Sequence, residues 1–121
     1  MRVIALDDEI DVQVLYEHFL EEEIESKKID FVFYNDPKKL LESLKPSEER
    51  TLLMTDLRMP GLSGFEVVSA LIQRMPNLMV FIISALEVDL EHPNLNGVKY
   101  KKQFLKPLNF NLLREEILSL L

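Results

Sequence analysis

Five short apolar runs, each followed by a stretch with helical spacing, divide this chain from end to end. The runs are Val3–Leu6, Phe31–Tyr34, Leu52–Thr55, Leu78–Ile83 and a less clear fifth, Tyr100–Leu105, which Lys101, Lys102 and Gln103 interrupt. Units alternating in this way bury their strands as a parallel sheet with helices on both faces and right-handed crossovers, so an α/β, doubly wound five-stranded sheet is the expected fold class. Val3–Leu6 and Leu78–Ile83 are apolar at consecutive positions, as strands covered on both faces must be. A chain of 121 residues has material for one such unit and not for two, and residues 1–121 read as a single domain.

Between the runs, the side-chain spacing places the helices. Val12, Leu15, Tyr16, Phe19 and Leu20 form the stripe of an amphipathic helix, with Glu21-Glu22-Glu23 beyond it as solvated surface. Asp36-Pro37 reads as N-cap and first helical position, with Leu40, Leu41 and Leu44 buried and Lys45-Pro46 as the stop. Ser63 and Glu66 form a capping box ahead of Phe65, Val68, Leu71, Ile72 and Met75, and Pro76 ends that helix. Asn109 or Asn111 caps a closing helix with Leu113, Ile117, Leu120 and Leu121 inward. The weak unit is the fourth crossover, where Pro93, Asn94, Asn96 and Gly97 predict a fourth helix that is short or irregular, held to the sheet by Leu86, Val88, Leu90 and Leu95.

Composition removes several function classes. Fourteen basic against 21 acidic side chains leave a net charge of −7, which repels polyanions and argues against direct nucleic-acid binding. The longest apolar run, Leu78–Ile83, falls far short of the ~20 residues that span a bilayer, and no signal-peptide core precedes Asp7, so no membrane association and a cytoplasmic location are expected. There is no cysteine, and His18 and His92 are too few for a histidine metal site.

The reactive side chains fall where the strands end. In an open α/β sheet, ligands bind beyond the carboxyl ends of the strands. Here the first strand runs into Asp7-Asp8, the third into Asp56, the fourth into Ser84 and the fifth into Lys106-Pro107. Two carboxylates at 4 Å repel by roughly 4 kcal/mol at an effective dielectric of about 20, so a cation belongs among them. Hard oxygen donors without imidazole or thiolate favour Mg²⁺. A divalent ion, an ammonium and a hydroxyl around one carboxylate suit a tetrahedral dianion, which points to phosphoryl transfer onto that carboxylate.

Four separated segments carry a resemblance over the whole chain: Asp7-Asp8, Met54 to Gly61 with Ser63-Gly64, Ile83-Ser84-Ala85, and Phe104 to Pro107. Together they resemble the receiver domain of two-component response regulators. That resemblance implies the flavodoxin-like strand order 2-1-3-4-5, for which a member of this family is a standard example. It implies Asp56 as phosphoacceptor, Asp8 as direct Mg²⁺ ligand, Asp7 acting through a metal-bound water, and the Arg58 backbone carbonyl as a further ligand. It also implies Ser84 as the hydroxyl that moves to the phosphoryl group, Ala85 as its small neighbour, Lys106 as the phosphate-binding lysine, and a cis bond before Pro107. The implied partner is a histidine kinase or histidine phosphotransferase, docking near Asp11, Val12 and Pro107-Leu108-Asn109, with an output partner or effector that the sequence leaves unknown.

Taken singly, each residue has a plainer reading. Asp7 and Asp8 serve as helix caps, Pro60-Gly61 as a turn, Ser84 as a core hydroxyl and Lys106 as a solvated lysine. Their joint placement at four strand ends favours the functional reading. The main alternative is a pseudo-receiver, a protein-interaction module that is never phosphorylated. An aspartyl-phosphate hydrolase lacks its second acid because position 58 is Arg, and the three glycines cannot assemble a nucleotide or flavin loop. The chain also departs from the resemblance. Receivers often carry an aromatic three residues before the lysine, and here that position is Gln103, with Phe104 assigned to the buried face. Lys99, Lys101 and Lys102 form a basic run that reads as protection of an edge strand.

Overall fold

The computed structural model describes residues 1–121. Its strands are β1 (Arg2–Leu6), β2 (Asp30–Tyr34), β3 (Thr51–Asp56), β4 (Leu78–Ser84) and β5 (Tyr100–Leu105). Its helices are α1 (Val12–Phe19), α2 (Glu21–Glu25), α3 (Pro37–Ser43), α4 (Gly64–Ile72) and α5 (Phe110–Leu120), with one 3-10 turn at Pro93–Leu95. All strand pairs are parallel and the order is β2-β1-β3-β4-β5, as the resemblance implied. Every residue of β3 and β4 is buried, whereas β2 and β5, at the edges, are partly open. No helix is long and apolar enough to cross a membrane.

Alternation along the strands divides the core into two layers. Ile4, Leu6, Leu53, Val80 and Ile82 face α3, α4 and the 3-10 turn, while Val3, Ala5, Leu52, Met54, Phe81 and Ile83 face α1 and α5. The local signals start the helices where expected, although α4 ends at Ile72, short of Met75 and of the stop read at Pro76. The Asp36 side chain accepts the Lys38 N–H at 2.9 Å with Pro37 behind it, and Ser63 and Glu66 complete their reciprocal cap. Of the two candidates at the last helix, Asn109 is the cap, accepting from both Asn111 and Leu112.

The fourth crossover holds only the 3-10 turn, and its anchor is Leu95, fully buried against the α3/α4 layer. Burying one such side chain stabilises by about 1.5–3 kcal/mol, enough to pin a segment that lacks helical hydrogen bonds. Val88 and Leu90 join it, but Leu86 does not: it is 64% exposed, because the chain turns outward immediately after β4. His92 adds a contact that spacing does not reveal. Its ring stacks on Phe65 at 4.4 Å while its Nδ1 accepts the Asn94 N–H.

Further details add to the expectations or depart from them. The glutamate run is not all solvated surface: Glu23 is 3% exposed, and Arg114 on α5 grips its carboxylate through Nε at 2.9 Å and Nη2 at 3.1 Å. The helix breaks at Leu20 and restarts as α2, which turns Glu23 inward toward a partner 91 positions away. Leu15, placed in the α1 stripe, is 44% exposed, and Leu121, read as facing inward, is 47% exposed beyond the end of α5. The lysine run on β5 is partly neutralised, Lys102 by Glu116 at 3.0 Å and Lys101 by Glu91 at 3.8 Å.

Candidate functional site

Strand register brings the reactive residues together. Leu6 pairs with Thr55, Thr55 with Ile82 and Ile82 with Gln103, so Asp7 and Asp56 occupy the next row, just beyond the end of β1 and at the end of β3. Both continue the strand faces that look toward α1 and α5. One carboxylate oxygen from each of Asp7, Asp8 and Asp56 lies within 4.8 Å of the others. Asp7 and Asp56 are only 5% and 9% exposed, while Asp8 stands in solvent. Burial is the main force raising the Asp7 carboxyl above its ordinary range; the N–H of Glu9, 2.9 Å away, opposes it, and the charge of Asp56 adds to it. Neither Asp7 nor Asp8 caps α1, whose start at Asp11 has no side-chain cap, so the plainer reading of that pair does not hold.

Lys106, the first residue after β5, reaches back to Asp56, Nζ to Oδ2 at 2.8 Å. Burial pulls its ammonium down, but the hydrogen bond and charge of Asp56, with Asp7 and Glu9 behind, outweigh that and leave it raised. One ammonium therefore stands among three carboxylates, leaving negative charge that a further cation would offset. Its donors are all carboxylate oxygens with no imidazole or thiol, which fits Mg²⁺ rather than zinc.

The other Asp56 oxygen, Oδ1, accepts the Arg58 N–H at 3.3 Å. Arg58 lines a cleft of about 310 Å³ together with Asp56, Leu57, Ser84, Lys106 and the Ala85–Val88 segment. Ser84 lies on the opposite pleat from Asp56, its hydroxyl turned to the Leu86 carbonyl and hydrogen-bonded by Gln103 Nε2 at 2.8 Å. A second cleft, about 230 Å³ and mostly apolar, opens beside Lys106 between Val12, Leu15, Tyr16, Leu108 and Phe110. The Lys106-Pro107 peptide bond is cis.

Three supporting residues, present in the sequence reading only as parts of a run, a stripe or a matching segment, gain a role at the site from the structure. Gly64 opens α4 against the end of β3: a Cβ there would sit 2.6 Å from the Asp56 carbonyl oxygen. Thr55, behind Asp56, donates its hydroxyl to that same carbonyl at 2.8 Å. Tyr16 lies beneath the acidic group, its phenol raised by burial and then by the charges of Asp7 and Asp56. The Ser63-Gly64 pair was the only available signal for Gly64; nothing local marks Thr55 or Tyr16.

Comparison with known proteins decides the family. The model of the response regulator receiver domain matches residues 3–118. The chain belongs to that family. This receiver domain superposes on the chemotaxis protein CheY4 of Vibrio cholerae with a TM-score of 0.77 at 19% identity, covering 99% of this chain and 98% of that one. A response regulator from Colwellia psychrerythraea gives 0.72 at 23%, with 98% and 94% covered. The response regulator TrrA of Thermotoga maritima, in complex with Mg²⁺ and BeF, gives 0.72 at 21%, with 99% and 98% covered. At these identities the structural matches establish the shared fold of the receiver domain. A search of curated protein sequences gives no significant match.

Proposed function

We propose that this receiver domain, as one unit over residues 1–121, accepts a phosphoryl group on Asp56 from a histidine kinase or histidine phosphotransferase and serves as a phosphorylation-controlled switch in a phosphorelay. The observation that carries this reading is the setting of Asp56: nearly buried in the lining of a cleft, its Oδ2 2.8 Å from Lys106 Nζ, with carboxylate oxygens of Asp7 and Asp8 within 4.8 Å.

Asp7, Asp8 and Asp56, with the Arg58 carbonyl, would hold Mg²⁺. The ion, when bound, neutralises charge on the transferred group's oxygens. An Asp56 oxygen attacks phosphorus as the bond from phosphorus to the donor's imidazole nitrogen or leaving oxygen breaks, and the electron pair leaves with the donor. Lys106 stands ready to hold a phosphoryl oxygen, and Ser84 supplies a hydroxyl on the cleft's far side. The domain acts on its own Asp56, gaining the group from the donor and losing it to water as inorganic phosphate, so it is a switch rather than an enzyme with a separate substrate.

The apolar cleft between Val12 and Leu108 supports docking of the phosphodonor protein beside Lys106. A cytoplasmic location is consistent with such a partnership. The test is intact-mass spectrometry after incubation with Mg²⁺ and a small phosphodonor: one phosphoryl group on the wild type and none on Asp56→Asn. Equal labelling of both would overturn the assignment of Asp56. No labelling of either would favour a pseudo-receiver that works by binding alone.

A further inference from the structure

Gln103 sits diagonally across from Ser84 on the neighbouring strand, since Ser84 pairs with Leu105 and Ile82 with Gln103, and both side chains leave the same face. Its amide uses every group it has. Nε2 donates to Ser84 Oγ at 2.8 Å and to the Leu86 carbonyl at 2.7 Å, and Oε1 accepts the Val88 N–H at 3.0 Å. The opposite amide orientation would set oxygen against the Leu86 carbonyl and NH₂ against an N–H, so the network allows one orientation only. The Ser84 hydroxyl has a single proton, and that proton is committed to the same Leu86 carbonyl. One side chain thus ties the end of β4 to the outward turn at 86–88, in a crossover with no regular helix to hold it.

We propose that Gln103 is a positioning residue that clasps Ser84 and the 86–88 turn in the resting form and sets how readily that hydroxyl turns to an anion held at Asp56. This rests on the reading of Asp56 as a phosphoacceptor. To donate to a phosphoryl oxygen, Ser84 must release the Leu86 carbonyl and give up its place in the Gln103 network. A ligand shifts such an equilibrium only by its differential affinity for the two forms, so the clasp is a brake of defined size. Loss of about one net hydrogen bond should tighten anion binding by roughly 3- to 10-fold.

The experiment uses Gln103→Met, close in shape but without the amide, and Gln103→Asn, which keeps the amide but is too short to span. Beryllofluoride with Mg²⁺ is the probe, and amide exchange at Val88 reads the clasp without any phosphodonor. Both variants should lose Val88 protection when unliganded and bind beryllofluoride about 3- to 10-fold more tightly than the wild type. Simple damage to the fold would weaken binding instead. Unchanged Val88 protection, or unchanged or weaker beryllofluoride affinity in a folded variant, would overturn the role of Gln103 while leaving the phosphoacceptor reading standing. A wild type indifferent to beryllofluoride would overturn the phosphoacceptor reading, and the switching role of Gln103 with it.

Discussion

Replacing Asp7 by Asn should make the metal-free protein more stable while weakening its hold on Mg²⁺. Asp7 and Asp56 are both nearly buried with carboxylate oxygens no more than 4.8 Å apart. At that separation and an effective dielectric of about 20, their repulsion is roughly 3.5 kcal/mol. Lys106 at 2.8 Å from Asp56 and the Glu9 N–H at 2.9 Å from Asp7 offset part of it, leaving a net gain of about 1–2 kcal/mol for the neutral amide. The Asn side-chain oxygen still accepts from Glu9, so the turn after β1 survives the change. A gain of that size raises the unfolding midpoint by roughly 3–10 °C in a domain of this length. The pH dependence follows from the raised Asp7 carboxyl: the native state binds its proton more tightly than the unfolded chain. Wild-type stability from this group therefore falls as pH rises through the window from the ordinary carboxylate value to the raised one. The advantage of Asp7→Asn is full above the raised value and fades as pH drops through it. Denaturant unfolding in a chelator, at neutral and mildly acidic pH, measures both. With Mg²⁺ added, the wild type should gain more than the variant, since a ligand stabilises the state that binds it. A folded variant no more stable than the wild type at neutral pH without metal, or an advantage that persists on acidification, would refute the reasoning.

Asp8→Ala should weaken Mg²⁺ binding more than Asp7→Ala in a direct titration, because Asp8 is expected to ligate directly and Asp7 through water; the reverse order would exchange their roles. Gly64→Ala should cost about 1–3 kcal/mol in urea unfolding, as its Cβ would meet the Asp56 carbonyl oxygen at 2.6 Å and the Leu57 Cα at 3.2 Å, both backbone atoms that cannot step aside. Val12→Glu or Leu108→Glu, on the rim of the apolar cleft, should slow phosphoryl transfer from a phosphohistidine protein without slowing labelling by a small phosphodonor. Equal loss with both donors would locate the damage in the site rather than in docking.

Much of this receiver domain was legible because its signals are local. Consecutive apolar residues at Val3–Leu6 and Leu78–Ile83 announce strands covered on both faces. Capping depends on a few neighbouring residues: the caps at Asp36 and Ser63 formed as read, and of the two candidates at the last helix Asn109 took the role. Pro93 with Asn94, Asn96 and Gly97 removed the fourth-crossover helix through backbone chemistry alone. Even the meeting of Asp7, Asp8, Asp56 and Lys106 followed from strand ends, because a parallel sheet aligns its carboxyl edges.

The tertiary structure decided what depends on partners distant in sequence and on which pleat a side chain takes. Glu23 looked like surface until α5 brought Arg114 to it across 91 positions. Leu86 looked like an anchor until the turn after Ser84 carried it outward. Gln103 was readable only as an aromatic that is missing. Its link to Ser84, Leu86 and Val88 needed the β4/β5 register, which sets two polar side chains on one face within reach of a turn that no helix holds. Propensity and periodicity act over a few residues, whereas the pairing of a buried charge or amide is settled only when the layers close around it.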